Sequence, residues 1–428
     1  MSLPINGRIV VVDDQIEQAM PILCELSKRR CSYSYYTGEL KSLPDAETQK
    51  NDIRVLFLDI YLSGDESRTD REVRSSLVPV LERIISESNF PYVLIYWSRH
   101  ENEHDDLIQK IFEEDLNDRK PIAFLSLSKS DYFSLIGEET AEFEKKIETL
   151  WADISDLIKQ VPVYKNLLVW ENKVHSSADK TLEEIFSECN DKDEWENNSN
   201  YIFNKLGISY SGKNYDNQEI IEKTKSSLYA LNIVLSDALD YSVTKSNIQD
   251  HEELEYNDEA DRDVISIVNK KLLTSAEIDP PNYPGTILKA DKSSEDEYLE
   301  ILDKMLRKKN KKDKIAESMI KIWLLLTPLC DFAQDKIAYN RVVRGILFRK
   351  QNRKTFFSNE AIFVSPSFEF EKQDYAIGLH FSEFFGIKKI PPRKCKPLFR
   401  IRQQLLAEVQ SKLARHVSRQ GVLFLDER

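Results

Sequence analysis

The stretch RIVVVDDQ, Arg8–Gln15, is the clearest fold signal in this chain. It indicates a short buried strand that ends in two carboxylates, Asp13 and Asp14. The stretch VLFLDIYLSGD, Val55–Asp65, repeats the pattern with a hydrophobic strand that ends in Asp59. Two acidic strand ends about one β-α-β unit apart indicate a shared site at one edge of a sheet.

Strand-like and helix-like patterns alternate from this stretch up to about residue 135. Short apolar runs predict buried strands, and apolar residues at three-to-four spacing predict the helices between them. The predicted strands are Arg8–Val12, Ser32–Tyr36, Val55–Leu58, Tyr92–Tyr96 and Ile122–Leu127. This alternation predicts an α/β fold with a parallel, doubly wound sheet and a site at the carboxyl ends of its strands.

The remainder of the chain predicts two further regions. Nearly all patterns from Pro162 to Glu277 are helical, and DPPNYPG, Asp279–Gly285, is a strong boundary signal. Beyond it, AIFVSPSFEF and YAIGLHFSEF predict two strands, and an apolar stripe from Leu398 to Val417 predicts a C-terminal helix. We therefore expect a sheet domain over residues 1–160, a helical domain over 161–280 and an α+β domain over 281–428.

Composition limits the class of protein. A chain of 428 residues is too long for one ordinary core. Its net charge of -13 argues against general binding to nucleic acid or anionic membranes. Five scattered cysteines without a CxxC pair predict reduced thiols, and the most apolar window, Ile320–Cys330, is shorter than the roughly 20 residues of a membrane span. We expect a soluble cytoplasmic protein with neither membrane nor nucleic acid as partner.

The acidic strand ends predict a metal site. In the flavodoxin-like strand order the first and third strands are neighbours, so Asp13, Asp14 and Asp59 are expected to converge. Three unpaired carboxylates would raise one another's pKa, and Mg²⁺, which prefers a few carboxylates and waters, would resolve the conflict. The fourth predicted strand leads to Ser98 and the fifth to Lys129, which adds a hydroxyl and an ammonium at the same edge.

Two acids, a lone acid, a hydroxyl and a lysine in this order resemble the receiver domain of two-component response regulators. The resemblance covers roughly residues 7–135 and implies a flavodoxin-like (βα)5 fold. It implies that Asp59 accepts a phosphoryl group. It also implies that Asp13, Asp14 and Asp59 hold Mg²⁺, with the backbone carbonyl of Tyr61 as a further ligand.

The resemblance also assigns roles to the last two positions. Ser98 is expected to contact the acyl phosphate and Lys129 to pair with it, because phosphoryl transfer depends on positioning and charge neutralisation. The sequence departs from the receiver pattern at two places. Ser130 follows the lysine where receivers usually have proline, and Ser126 stands where they usually have an aromatic residue. Both departures lie at positions that belong to the usual output surface of receivers.

The partner implied by the resemblance is a sensor histidine kinase. The C-terminal region would then be a docking or output module, and we expect no enzyme activity in it. The stretch PLFRIRQQLLAEVQSKLARHVSRQG, Pro397–Gly421, together with the receiver pattern, also resembles receiver proteins of bacterial anti-phage two-component systems, which act with a separate effector protein. Two alternatives remain open: a receiver that gates an enzyme such as a nuclease, and a pseudo-receiver that serves as a scaffold.

Two features of the C-terminal region are candidates for further sites. Cys330 and Asp331 could form a nucleophile or metal pair with His380 or Cys395, but no partner lies at a metal-ligand spacing, so a structural role is favoured. The basic stretch RVVRGILFRKQNRK, Arg341–Lys354, has the composition of a nucleic-acid contact. In an acidic protein such a stretch more often docks on acidic protein surfaces.

Overall fold

The computed structural model describes residues 9–45, 51–62, 69–98, 105–132, 140–187, 194–245, 262–278, 280–290, 294–307, 311–357, 359–391 and 395–418. They divide into two compact units. The N-terminal unit lies within Met1–Asn190 and Ile233–Glu255, and the C-terminal unit lies within Asp191–Asn232 and Tyr256–Arg428.

A five-stranded parallel sheet forms the centre of the N-terminal unit. Its order is β2-β1-β3-β4-β5, so the first and third strands are neighbours as predicted. Strands β1 and β3 are buried along their whole length, because helices cover both faces of the sheet. The strands are β1 Ile9–Val12, β2 Tyr33–Tyr36, β3 Val55–Asp59, β4 Val93–Ser98 and β5 Ala123–Ser128.

Among the residues that the structure describes here, five helices complete the alternation. Apolar side chains of α1 and α5 pack on one face of the sheet, and those of α2 and α3 pack on the other. The arrangement is compatible with a flavodoxin-like fold. The helices are α1 Ile16–Lys28, α2 Asp70–Ile84, α3 Asp105–Lys110, which continues as a π-helical turn over Ile111–Asp115, α4 Lys129–Tyr132 and α5 Thr140–Lys159.

The middle of the chain is helical, as predicted. Helix α6 spans Pro162–Phe186, α7 Trp195–Ser211, α8 Ile220–Thr244 and α9 Arg262–Leu273. The first turns of α6 belong to the core of the N-terminal unit, where Tyr164 and Leu168 are buried. The acidic residues 250–261 lie outside the described residues.

Within the described residues, the C-terminal unit contains an antiparallel, curled sheet of eight strands. Its order is β10-β12-β9-β8-β7-β13-β6, and β11 pairs with β12. Apolar clusters cover both faces. The strands are β6 Thr274–Ser275, β7 Thr286–Lys289, β8 Ile320–Leu325, β9 Asn340–Arg349, β10 Ile362–Val364, β11 Phe368–Phe370, β12 Gln373–Ile387 and β13 Lys396–Ile401, and the helices are α10 Glu295–Met305, α11 Lys312–Ala316, α12 Leu329–Ala333 and α13 Gln403–Val417.

The structure corrects two details of the sequence interpretation and shows the conformation of the basic stretch, which the sequence left open. The stripe that begins at Leu398 is first a strand, β13, and the helix begins only at Gln403. The basic stretch Arg341–Lys354 contains β9, which lies between β12 and β8 with most of its apolar side chains buried. The segment AIFVSPSFEF forms two strands, β10 and β11, since Pro366 between them cannot donate a ladder hydrogen bond.

Candidate metal and phosphoacceptor site

Three carboxylates converge at the carboxyl edge of the parallel sheet. Asp13 and Asp14 directly follow β1, and Asp59 is the last residue of the neighbouring strand β3. One ligand atom from each of these three side chains lies within 4.8 Å of those of the other two. The sheet therefore brings together the three acids that the strand pattern singled out.

Lys129 joins two of these carboxylates. It is the first residue of α4, directly after β5, and its ammonium Nζ lies 2.8 Å from Asp13 Oδ2 and 2.7 Å from Asp59 Oδ2. Lys129 Nζ also donates to the side-chain oxygen of Gln18 at 3.1 Å. Asp13 is fully buried, and Asp59 and Lys129 are 5% and 7% exposed, so this ion-pair network is shielded from solvent.

Backbone donors hold the two bridged carboxylates in place. The amide of Gln15 donates to Asp13 Oδ1 at 2.9 Å, and the amide of Tyr61 donates to Asp59 Oδ1 at 3.2 Å. The hydroxyl of Tyr35 donates to the backbone carbonyl of Asp13 at 2.6 Å. Each of these carboxylates is thus fixed through both of its oxygens.

The local charge distribution raises the pKa of the acids. Burial, and next the negative charge of Asp59, raise the pKa of Asp13 to about 6, although the Lys129 ammonium acts in the opposite direction. The same two causes, burial and Asp59, raise the pKa of Asp14. Burial, followed by the charges of the neighbouring acids, raises the pKa of Tyr35 to about 12. One lysine therefore does not offset the negative charge collected at this edge.

The donor set fits a divalent cation. Asp14 Oδ1 is enclosed and has no hydrogen-bond partner among the described residues. A buried carboxylate oxygen without a partner is costly, and a cation bound between Asp13, Asp14 and Asp59 would satisfy it. Carboxylate oxygens are ligands that Mg²⁺ and other hard cations prefer. The acidic cluster is therefore able to hold a metal ion.

The other two predicted site residues are described only in part. Ser98 is the last residue of β4 and pairs with Ser128 of β5, but its side chain lies outside the described part of the structure. Tyr61 is buried and its amide contacts Asp59, while the role of its carbonyl as a metal ligand stays a prediction.

Sequence reasoning missed three residues that contact the site. Gln18 accepts a hydrogen bond from Lys129, Tyr35 holds the backbone of Asp13, and the Trp97 ring centroid lies 5.5 Å from the Lys129 ammonium. Trp97 immediately precedes Ser98, so its position next to a predicted site residue was the one available signal. Gln18 and Tyr35 lie on a helix and a strand that carried no such signal.

The C-terminal candidates are scattered. Cys330 is exposed and its Sγ lies 3.7 Å from Asp331 Oδ1, whereas Cys395 is buried. His380 Nδ1 lies 2.6 Å from the hydroxyl of Ser382. Within the described ranges, these residues form no group of three or more metal-ligating side chains.

Comparison with known proteins adds no relative. No family model, no curated protein and no solved structure matches this chain. Within the described part of the chain, no helix combines the length and the apolar character needed to cross a membrane. The fold and the site together define a parallel α/β unit that has a buried acidic cluster and a bridging lysine at the carboxyl edge of its sheet.

Proposed function

We propose that this chain is a receiver-type signalling protein that accepts a phosphoryl group on Asp59. One observation carries the proposal: Asp13, Asp14 and Asp59 converge within 4.8 Å of one another, and Lys129 lies 2.7 Å from the Asp59 carboxylate. An acidic metal cluster beside a fixed carboxylate and a lysine meets the positioning and charge requirements of phosphoryl transfer.

The transfer step uses the Asp59 carboxylate as nucleophile. One of its oxygens forms a bond to phosphorus, while the bond between phosphorus and the donor's imidazole nitrogen or acyl oxygen breaks and the donor keeps the electron pair. The Tyr61 amide holds Asp59 Oδ1 during the approach of the donor. The Lys129 ammonium pairs with the Asp59 carboxylate before the transfer and with the oxygens of the phosphoryl group after it.

Mg²⁺ held by Asp13, Asp14 and Asp59, with the Tyr61 carbonyl, would supply the positive charge that neutralises the incoming phosphoryl oxygens. The enclosed Asp14 Oδ1, which lacks a hydrogen-bond partner among the described residues, supports this assignment. The proposed role of Ser98 is to contact the acyl phosphate once it has formed.

The proposed phosphodonor is a sensor histidine kinase in the cytoplasm. The C-terminal unit would then act without enzyme activity of its own, as the docking or output module toward a separate effector protein, in an anti-phage system of the kind that the sequence resembles. The free thiols of the described cysteines are compatible with a reducing compartment.

Intact-mass spectrometry of the full chain with acetyl phosphate, with and without Mg²⁺, tests the phosphoacceptor. We expect one phosphoryl adduct that requires Mg²⁺, is lost in base and is absent from Asp59→Asn. Asp131→Asn is the matched control, because Asp131 is an exposed acid two residues after Lys129. An adduct on Asp59→Asn, or none on the wild type with either acetyl phosphate or beryllofluoride, would refute the proposal.

A scaffold that performs no phosphoryl transfer is the second candidate. It is favoured by the Lys129 bridge, which already neutralises Asp13 and Asp59 in part without a metal ion. The phosphorylation assay separates the two functions. A receiver takes up a phosphoryl group on Asp59, whereas a scaffold that keeps the acids takes up none under any of these conditions.

A further inference from the structure

A polar cavity of about 680 Å³ lies in the C-terminal unit, at the end of β9 and beside the hairpin that joins β11 to β12. This volume is typical of sites that bind small organic ligands. Its lining includes three cationic side chains, Arg349, Lys350 and Lys372, and two carboxylates, Glu369 and Asp374.

In the cavity, both carboxylates have an ion-pair partner, but two of the three cationic side chains have none within the described part of the chain. Glu369 Oε1 lies 3.0 Å from Lys270 Nζ, and Asp374 Oδ2 lies 2.9 Å from Lys350 Nζ, so both carboxylates already have a counterion. Arg349 and Lys372 have no ion-pair partner among the described residues. The cavity therefore presents uncompensated positive charge to whatever enters it.

Arg349 carries the more specific signal. Its guanidinium is held over the ring of Tyr375 at 4.3 Å from the centroid, and Tyr375 is itself buried. Its Nη1 atom has no hydrogen-bond acceptor within the described residues, so no protein group holds the charge of this side chain. Arg349 lines the cavity, and a planar guanidinium matches the oxygens of a phosphate.

The hairpin at the rim is built under backbone strain. Its two turn residues, Glu371 and Lys372, have φ values of 49° and 59°, in the left-handed region that residues with a side chain rarely adopt. Two-residue turns of this kind usually contain asparagine or glycine. The strained turn places Lys372 at the cavity, and such strain concentrates at ligand sites.

We propose that this cavity binds a phosphate-bearing small molecule of nucleotide size. Arg349 and Lys372 hold the phosphates. The amide side chains of Gln351 and Gln373 and the apolar side chain of Ile267, which also line the cavity, contact the remainder of the ligand. The site is independent of Asp59 and of the acidic cluster in the other unit.

Calorimetric titration of the full chain with ADP and with inorganic pyrophosphate tests the site. EDTA is present throughout, so that no metal-nucleotide complex forms at the acidic cluster. We expect ADP to bind more tightly than pyrophosphate, because pyrophosphate lacks the part that contacts Gln351, Gln373 and Ile267. Arg349→Gln should weaken ADP binding by about tenfold or more, since it removes charge-assisted hydrogen bonds.

Two further variants keep the test decisive. Lys372 is exposed on a turn, so Lys372→Gln should fold normally and still weaken ADP binding. Lys354→Gln is the matched control, because it removes one exposed charge of the same unit outside the cavity and should change affinity by less than about twofold. The proposal is overturned if the wild type binds neither probe, if both probes bind equally, or if Lys354→Gln loses as much affinity as Lys372→Gln.

Discussion

Replacing Lys129 with methionine should destabilise the metal-free N-terminal unit, and Mg²⁺ should reverse the effect. Methionine keeps most of the length of the side chain but removes the ammonium that lies 2.8 Å from Asp13 and 2.7 Å from Asp59. Both carboxylates stay buried without their shared counterion. Removing one partner of a buried ion pair costs about 3–5 kcal/mol, because the remaining charge is uncompensated.

The magnitude should lie toward the lower end of that interval. The pKa of Asp13 is already raised to about 6 with the lysine present, and loss of the ammonium raises it further. At neutral pH Asp13 then takes up a proton, which removes part of the repulsion with Asp59. We expect a loss of about 3 kcal/mol in the free energy of unfolding of the unit.

Hydrogen exchange of the amides in β1 and β3, followed by mass spectrometry, measures this free energy within the N-terminal unit alone. In EDTA, protection in Lys129→Met should fall by an amount equivalent to about 3 kcal/mol. At a Mg²⁺ concentration of about a hundred times the dissociation constant of the variant, the bound ion contributes about 2.7 kcal/mol to the stability of the variant. The wild type should gain less, because its Lys129 ammonium already contacts two of the carboxylates and weakens Mg²⁺ binding. The difference between the two proteins should therefore shrink.

Lys159→Met is the matched control for this prediction. Lys159 forms an ion pair with Asp156 in α5, in which both side chains are more than half exposed, and such pairs contribute at most about 1 kcal/mol. The control should show no dependence on Mg²⁺. Unchanged protection of Lys129→Met in EDTA, or a difference that Mg²⁺ leaves intact, would refute the idea that Lys129 and a metal ion share the task of neutralising these acids.

Three further predictions concern pH, a buried ion pair and a close backbone approach. The folded-state pKa of Asp13, about 6, lies above its ordinary 3.8, so the folded protein binds the extra proton and its stability in EDTA should fall by about 3 kcal/mol as pH rises from well below 3.8 to well above 6. The difference in urea midpoint between wild type and Asp13→Asn should follow this course, and a flat difference would contradict it. Glu171→Gln should lower the free energy of unfolding by about 3 kcal/mol, because it leaves the buried Arg54 guanidinium, paired to Glu171 at 2.8 Å, without its counterion. Hydrogen exchange of the β3 amides measures this loss, and a loss below about 1 kcal/mol would show that the pair behaves as an exposed one. Gly345→Ala should destabilise the C-terminal unit by more than about 2 kcal/mol, because the new Cβ would lie 2.3 Å from the backbone oxygen of Gly378. Gly378→Ala is the control, since its Cβ first meets the flexible end of a methionine side chain at 2.7 Å, and equal melting temperatures of the two variants would contradict the prediction.

The sequence alone was enough to predict the N-terminal sheet and the position of its acids. Each strand is a short apolar run, each helix has a three-to-four apolar spacing, and both are local patterns. In a parallel sheet all carboxyl ends lie at one edge, so residues that follow the strands must gather there. Asp13, Asp14, Asp59 and Lys129 could therefore be placed at one edge without knowledge of any side-chain contact.

The ladder of the C-terminal sheet could not be predicted in the same way. The spacing of apolar residues from Leu398 onward suits a helix, yet Leu398–Ile401 is a strand because residues such as Phe399 pair with β7, for example with Ile287. Strand pairing between segments so far apart in sequence leaves no local periodicity. For the same reason the basic composition of Arg341–Lys354 did not indicate that this stretch contains β9, a strand inside the sheet.

Charge pairing also depended on the tertiary structure. The lysine that neutralises Asp13 is 116 residues away in the chain, and the cavity around Arg349 forms only where β9, the β11–β12 hairpin and α9 meet. Composition counts charges but does not state which of them are buried together. Burial and distance set the energy of each pair, and the folded chain alone provides both.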